Sequence, residues 1–109
     1  QNSDGGWGEA PESCLRKQWV SAASHCVQTA WGLLALTEAG YARSSAARRA
    51  AAFLVECQQT DGSWPKGRMT GVFNQSVLID YDNYRRYFPL WALARWREAL
   101  VGGRETIRR

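Results

Sequence analysis

The chain has 109 residues, enough for one small domain or one piece of a larger one, and a hydrophobic content of 45%, ordinary for a globular protein. Its net charge of +4 comes mostly from the C-terminal end, where Arg85, Arg86, Arg95, Arg97, Arg104, Arg108 and Arg109 outnumber Glu98 and Glu105. No basic–aromatic platform or reading helix accompanies those arginines, so nucleic acid is not an expected partner, and no apolar run reaches bilayer-spanning length.

Residues 1–20 read as turn and loop: Asp4-Gly5-Gly6, then Pro11, then the mixed Arg16-Lys17-Gln18-Trp19. Ser21 or Ser24 is the expected cap of a helix through Val27, Ala30, Trp31, Leu34 and Leu36 to about Glu38. With Leu33 and Ala35 it is apolar on most sides, the pattern of a helix buried in a larger body. Gly40 suits the left-handed position that ends it. Ser44 or Ser45 then caps a second helix through Ala51, Leu54 and Val55 to Gln58, with Arg48, Arg49 and Glu56 on its wet face. Its alanines (Ala46, Ala47, Ala50, Ala51 and Ala52) favour helix and permit close approach to a neighbour. The two helices form an αα-hairpin. Residues 65–80 read as a loop with a short extended piece, Gly71-Val72-Phe73-Asn74. A last helical region covers Tyr84 to Leu100, and Pro89 predicts either a kink there or the true start of that helix. Beyond Val101 the tail is rich in Gly and Arg and is expected to fray, so 101–109 is set apart from residues 1–100. The expected class is all-α.

One pattern organises these elements. Gln1-Asn-Ser-Asp4-Gly5-Gly6-Trp7-Gly8 recurs as Gln58-Gln-Thr-Asp61-Gly62-Ser63-Trp64-Pro65, with Gln, Asp, Gly and Trp in register. The offset leaves room for a loop and two helices, as in a repeat architecture. Either Gln58 or Gln59 fits the spacing to hydrogen-bond backbone groups left open at a helix end, with Trp64 stacked over the amide and Gly62 permitting the turn. The chain opens inside the first copy, without the helix expected before Gln1 and with neither a signal peptide nor a start methionine. The expectation is a C-terminal piece of a longer protein.

The six tryptophans (Trp7, Trp19, Trp31, Trp64, Trp91 and Trp96) read first as packing groups. Cys14, Cys26 and Cys57 are an odd set without a CxxC pair, which argues against a disulfide scaffold or a zinc site and suits small buried apolar groups. His25, the single histidine, cannot build a metal centre with them and reads as a helix-surface or hydrogen-bonded residue.

The paired turns resemble the QW motif of the triterpene cyclases, the squalene–hopene and oxidosqualene cyclase family. The resemblance extends to Gln28-Thr29-Ala30-Trp31-Gly32-Leu33-Leu34-Ala35-Leu36, to Phe53-Leu54-Val55, to Gly71-Val72-Phe73-Asn74 with Tyr81 and Tyr84-Arg85, and to Phe88-Pro89-Leu90-Trp91-Ala92-Leu93. It covers nearly all of residues 1–100. Gly71-Val72-Phe73-Asn74 is similar to the oxidosqualene branch (lanosterol and cycloartenol synthases), whereas Gln28-Thr29-Ala30-Trp31 is at home in the hopene branch; the oxidosqualene reading is favoured.

The resemblance implies part of an α/α (α6–α6) barrel built from αα-hairpin repeats with QW turns, and a squalene-type polyene substrate cyclised through carbocations. It also implies that the rest of the cyclase chain is a partner, and that the full protein associates peripherally (monotopically) with a membrane on its cytoplasmic side. No cofactor and no metal are implied. The family's initiating aspartate lies in an upstream acidic motif, and Asp61, Asp80 and Asp82 stand in other contexts, so no catalytic residue is assigned here. Phe73 and Tyr81 match positions whose rings line the cyclase cavity, while Tyr84, Phe88 and Trp91 read as mostly core. Asp80 departs from the small or neutral residue expected beside Tyr81; holding the Tyr hydroxyl or altering the final proton loss are its possible roles. Gln1, Asp4, Gly5, Trp7, Gln58, Gln59, Asp61, Gly62 and Trp64 are the structural QW residues. Two other readings are a non-catalytic helical-repeat binding module and another α/α-barrel enzyme, such as a class II diterpene cyclase or a protein prenyltransferase subunit. The Asp, Cys and His zinc set of the prenyltransferases is not found here.

Overall fold

A computed structural model of the chain describes residues 1–10, 12–67, 71–73, 77–79 and 82–107. A short helix, α1 (Glu12–Arg16), is followed by α2 (Cys26–Glu38), α3 (Ser45–Cys57), strands β1 (Gly71–Phe73) and β2 (Val77–Ile79), and a long helix, α4 (Asn83–Ile107). The strands pair antiparallel, with Gly71 opposite Ile79 and Phe73 opposite Val77. Among the described residues the fold is helical, with this two-stranded ribbon between α3 and α4 in the sequence.

Helix α2 is the centre, packing on both α3 and α4, which meet each other only lightly. The alanines of α3 do what their density predicts. Ala47, Ala50 and Ala51 are buried with Leu54 against Ala30 and Leu33 of α2, and Ala92 of α4 and Trp64 complete the cluster. Burying a leucine such as Leu33 or Leu54 contributes about 1.5–3 kcal/mol. The α2–α3 turn is pinned to α4 by polar links. The Trp96 indole N–H donates to the Ala42 carbonyl at 2.7 Å, Arg43 donates to the Leu100 carbonyl at 2.6 Å, and Arg95 pairs with Glu38 at 2.7 Å.

Four expectations need correcting. Residues 1–20 contain α1, and Glu9 bridges Ser21 so that residues 8–10 and 20–22 run side by side. The cap of α2 is neither Ser21 nor Ser24 but His25, whose Nδ1 accepts from the Val27 and Gln28 amides. A second strand, β2, pairs with the expected extended piece. Helix α4 neither starts at Pro89 nor ends at Leu100; it begins at Asn83, carries a buried Pro89 inside it and runs to Ile107. Other boundaries match. Ser44 caps α3 through Ala47, and Gly40 follows the end of α2 with φ 90°.

The paired QW turns and the hairpin before α4

The two aromatic turns have one geometry. In the first, the Gln1 amide donates to the Gly5 carbonyl at 2.7 Å, and in the second Gln58 donates to Gly62 at 2.8 Å. Asn2 and Gln59 occupy the next position, their amides donating to Gly6 and Ser63 at 2.8 and 2.7 Å. Asp4 accepts from the Gly6 amide and Asp61 from the Ser63 amide, both at 3.0 Å. Gly5 and Gly62 adopt φ 93° and 90°, in the left-handed region where a β-carbon is costly. Each Gln therefore closes its own turn rather than capping a helix.

The open helix carbonyl is taken by the tryptophan instead. At the end of α3 the Gln58 amide bonds to Val55, bypassing Leu54. The Trp64 indole N–H donates to the Leu54 carbonyl at 2.7 Å, and the ring, 2% exposed, fills the core. One side chain thus supplies both the brace and the packing, and both glutamines serve: Gln58 through its side chain, Gln59 through its amide and its bond to Ser63. From α4, Arg85 reaches the Trp64 carbonyl at 3.0 Å.

The first turn sits at the opposite end of α3. Gln1 also donates to the Ala46 carbonyl at 2.8 Å, and Arg49 reaches the Asn2 and Ser3 carbonyls at 3.2 and 3.1 Å. Its carboxylate, Asp4, accepts from the Ser24 hydroxyl at 2.5 Å, which with the Gly6 amide holds it below its ordinary value. In the second turn the Ser63 hydroxyl and amide do the same for Asp61. Trp7 packs on Gly32 of α2, where a β-carbon would come within 2.7 Å of the ring. Trp7, Trp19, Trp31, Glu9 and Gln28 line a shallow cavity of about 270 Å³ beside it.

Sequence reasoning missed how Gln28, Thr29 and His25 read the first turn. The Thr29 hydroxyl accepts from the Trp7 amide at 2.9 Å, the Gln28 side chain accepts from the Glu9 amide at 2.9 Å, and the His25 amide donates to the Trp7 carbonyl at 2.8 Å. The Gln-Thr pair thus matches the backbone of residues 7–9, a complementarity that only the fold brings together. Of the two readings of His25, hydrogen-bonded is right and helix-surface is not, since the residue is 6% exposed.

Phe73 is the last residue of β1, which places it on the hairpin just before α4; its side chain and all of Tyr81 lie outside the described residues, as does Asp80. Between α2 and α4, Trp31 meets Tyr84 and Phe88 edge-on, with centroids 5.9 and 5.6 Å apart, and Phe88 stacks on Trp91 at 5.8 Å. Within this chain Trp91 is 51% exposed, and Tyr84 and Phe88 are half-buried. Cys26 is buried in the α2–α3 core. Burial first, then its neighbour Cys57, pushes its thiol up to about 12, which makes it inert at neutral pH. Among the described residues no group of three or more His, Cys, Asp and Glu could hold a metal, and no helix is long and apolar enough to cross a membrane.

A helical layer punctuated by two equivalent Gln–Asp–Gly–Trp turns defines a repeat protein of the QW type. Residues 1–98 match the model of the squalene–hopene cyclase C-terminal domain, and the chain belongs to that family. It is 39% identical to human lanosterol synthase over 99 residues, covering 90% of the chain and 14% of that protein. It is 43% identical over 100 residues to the squalene–hopene cyclase of Bradyrhizobium diazoefficiens, covering 89% and 15%. To the cycloartenol synthase of Dictyostelium discoideum it is 40% identical over 92 residues, covering 84% and 13%. The chain therefore spans about one seventh of the length of these relatives.

Proposed function

We propose that residues 1–100 are the C-terminal part of a triterpene cyclase barrel domain that converts 2,3-oxidosqualene to a polycyclic triterpene or sterol precursor. The match of residues 1–98 to the cyclase C-terminal domain carries this reading, and relatives named for lanosterol, cycloartenol and hopene synthesis agree with it. The initiating acid belongs to another part of the enzyme, and this part supplies walls. A cation moving along the folded polyene is stabilised by ring faces, each worth ~0.5–2 kcal/mol, and such faces carry no nucleophile that would trap it early. Phe73 and Tyr81 are the rings assigned to that task, and the position of Phe73 on a hairpin outside the helical core suits it. The oxidosqualene branch is favoured by Gly71-Val72-Phe73-Asn74; the second reading, cyclisation of squalene itself, rests on Gln28-Thr29-Ala30-Trp31.

Outside the polyene, the partner is the remainder of the cyclase chain. Trp19, Leu90, Trp91 and Val101 are each more than half exposed, which is the surface of a part rather than a whole. The isolated chain is inactive in this account, and the full enzyme lies on the cytoplasmic side of a membrane without spanning it.

Phe73→Ala in the full-length enzyme tests the assignment. Loss of stabilisation falls after the acid has started the reaction, so substrate consumption survives better than product fidelity, and truncated or rearranged triterpenes appear by gas chromatography. Phe73→Tyr keeps the ring face and retains more of the normal product. A lower melting temperature with an unmoved product ratio would make Phe73 a packing residue.

A further inference from the structure

Helix α2 is capped by an imidazole where a shorter Asn, Asp or Ser side chain would serve as well. His25 Nδ1 accepts from the Val27 amide at 3.1 Å and the Gln28 amide at 3.4 Å, so that nitrogen carries no proton and the neutral ring holds its proton on Nε2. The rest of the ring points to a third segment. A β-carbon on Gly67 would fall on His25 Nε2 and lie 2.6 Å from Cδ2. Gly67 therefore passes the far edge of the imidazole with no room for a side chain. The His25 amide meanwhile donates to the Trp7 carbonyl at 2.8 Å. A single buried residue joins the first QW turn, the start of α2 and the segment that enters β1.

We propose that His25 is a positioning residue: its imidazole sets the path of residues 65–67 and thereby the placement of the β1–β2 hairpin that bears Phe73. The part of this proposal that concerns product outcome rests on the cyclase reading above. The hairpin starts at Gly71, shortly after Gly67, and belongs to none of the helices that form the core. Its register against the core is then set by what holds the chain on either side of it. Arg85, bonded to the Trp64 carbonyl and to Asp82, ties the far side to the second turn. The His25 ring, against Gly67, is a contact on the near side. Glycine is required opposite it for space, and a cap no longer than asparagine would leave that space unfilled.

Two variants in the full-length enzyme separate capping from positioning. His25→Asn keeps an acceptor for the Val27 and Gln28 amides and removes the ring from Gly67, whereas Gly67→Ala keeps the cap and forces the segment away. Hydrogen exchange is read for α2 and for residues 65–73, beside the melting temperature and the triterpene product ratio. In both variants, exchange at 65–73 rises about tenfold, as for one lost contact of hydrogen-bond size, while α2 stays protected. Product ratio shifts in the same variants, with kcat falling more than KM changes. If exchange at 65–73 stays at the wild-type level in His25→Asn, the positioning role is overturned. It is equally overturned if that exchange rises only together with loss of α2 protection, since His25 would then be a cap alone. The exchange measurement needs no turnover, so a wild-type enzyme that made no triterpene would contradict the cyclase reading and leave the coupling result to stand or fall by itself.

Discussion

The division of labour in the second QW turn makes Trp64 and Gln58 unequal, and substituting each measures the difference. Trp64 is 2% exposed and its indole N–H satisfies the Leu54 carbonyl at 2.7 Å. Trp64→Phe keeps most of the ring and strands a buried carbonyl, at a cost of about 1–3 kcal/mol. Trp64→Ala adds the loss of a large packed ring, where truncations cost about 3–5 kcal/mol. The Gln58 bond to Gly62 is exposed and lies within one turn, so Gln58→Ala costs about 1 kcal/mol or less. The expected order of melting temperature in the full-length enzyme is wild type, Gln58→Ala, Trp64→Phe, Trp64→Ala. Differential scanning calorimetry reads that order, and gas chromatography of the products from whatever enzyme stays folded reads the pattern, which should be nearly unchanged throughout. A Trp64→Phe enzyme that melts with wild type would refute the indole brace. Full thermal stability with a new product mixture in Trp64→Ala would show that the ring acts on the chemistry.

Three further outcomes are expected. Asp4 and Asp61 sit below their ordinary value of 3.8 because serine hydroxyls and backbone amides bond their charged forms, so their contribution is complete above pH 3.8 and is lost as pH falls through their lower folded values. Melting curves should accordingly be insensitive to these groups down to about pH 4 and drop below it, and Asp61→Asn should shallow that drop; an equal drop in Asp61→Asn would contradict it. Cys26, with its thiol pushed up to about 12, should resist alkylation at pH 8 until the protein is unfolded, and rapid labelling of Cys26 itself in the native protein, located by peptide mass spectrometry, would contradict its burial. The isolated 109-residue chain should aggregate and turn over no oxidosqualene, as light scattering and product extraction would check.

What the sequence made legible was whatever is local and repeated. The two turns align residue for residue, and their glycines, aspartates and glutamines play matching roles because each turn is closed by its own side chains. Ser44 and Gly40 mark the ends of α3 and α2 for similar local reasons. The misses come from partners far along the chain. His25 displaces two better-looking serines as the cap because Ser24 is occupied by Asp4, and because the His25 ring has Gly67 beside it. The Trp64 bond to Leu54 depends on α3 releasing one particular carbonyl, which no spacing rule encodes. Pro89 suggested a kink or the start of the last helix, but it lies buried within α4, which begins at Asn83 and continues through it; a helix interior costs proline its missing donor without forbidding it. The proposal that Phe73 and Tyr81 line a cavity rests on resemblance to cyclases alone.

The central claim is that this chain belongs to an enzyme that cyclises oxidosqualene, and the most direct measurement is incubation of the full-length enzyme with 2,3-oxidosqualene and with squalene in parallel. Products of both are analysed by gas chromatography with mass spectrometry. The account predicts a polycyclic 3-hydroxylated triterpene from oxidosqualene and little or none from squalene. Polycyclic hydrocarbon from squalene alone would move the chain to the hopene branch, and a folded enzyme that left both polyenes unchanged would contradict the cyclase assignment itself.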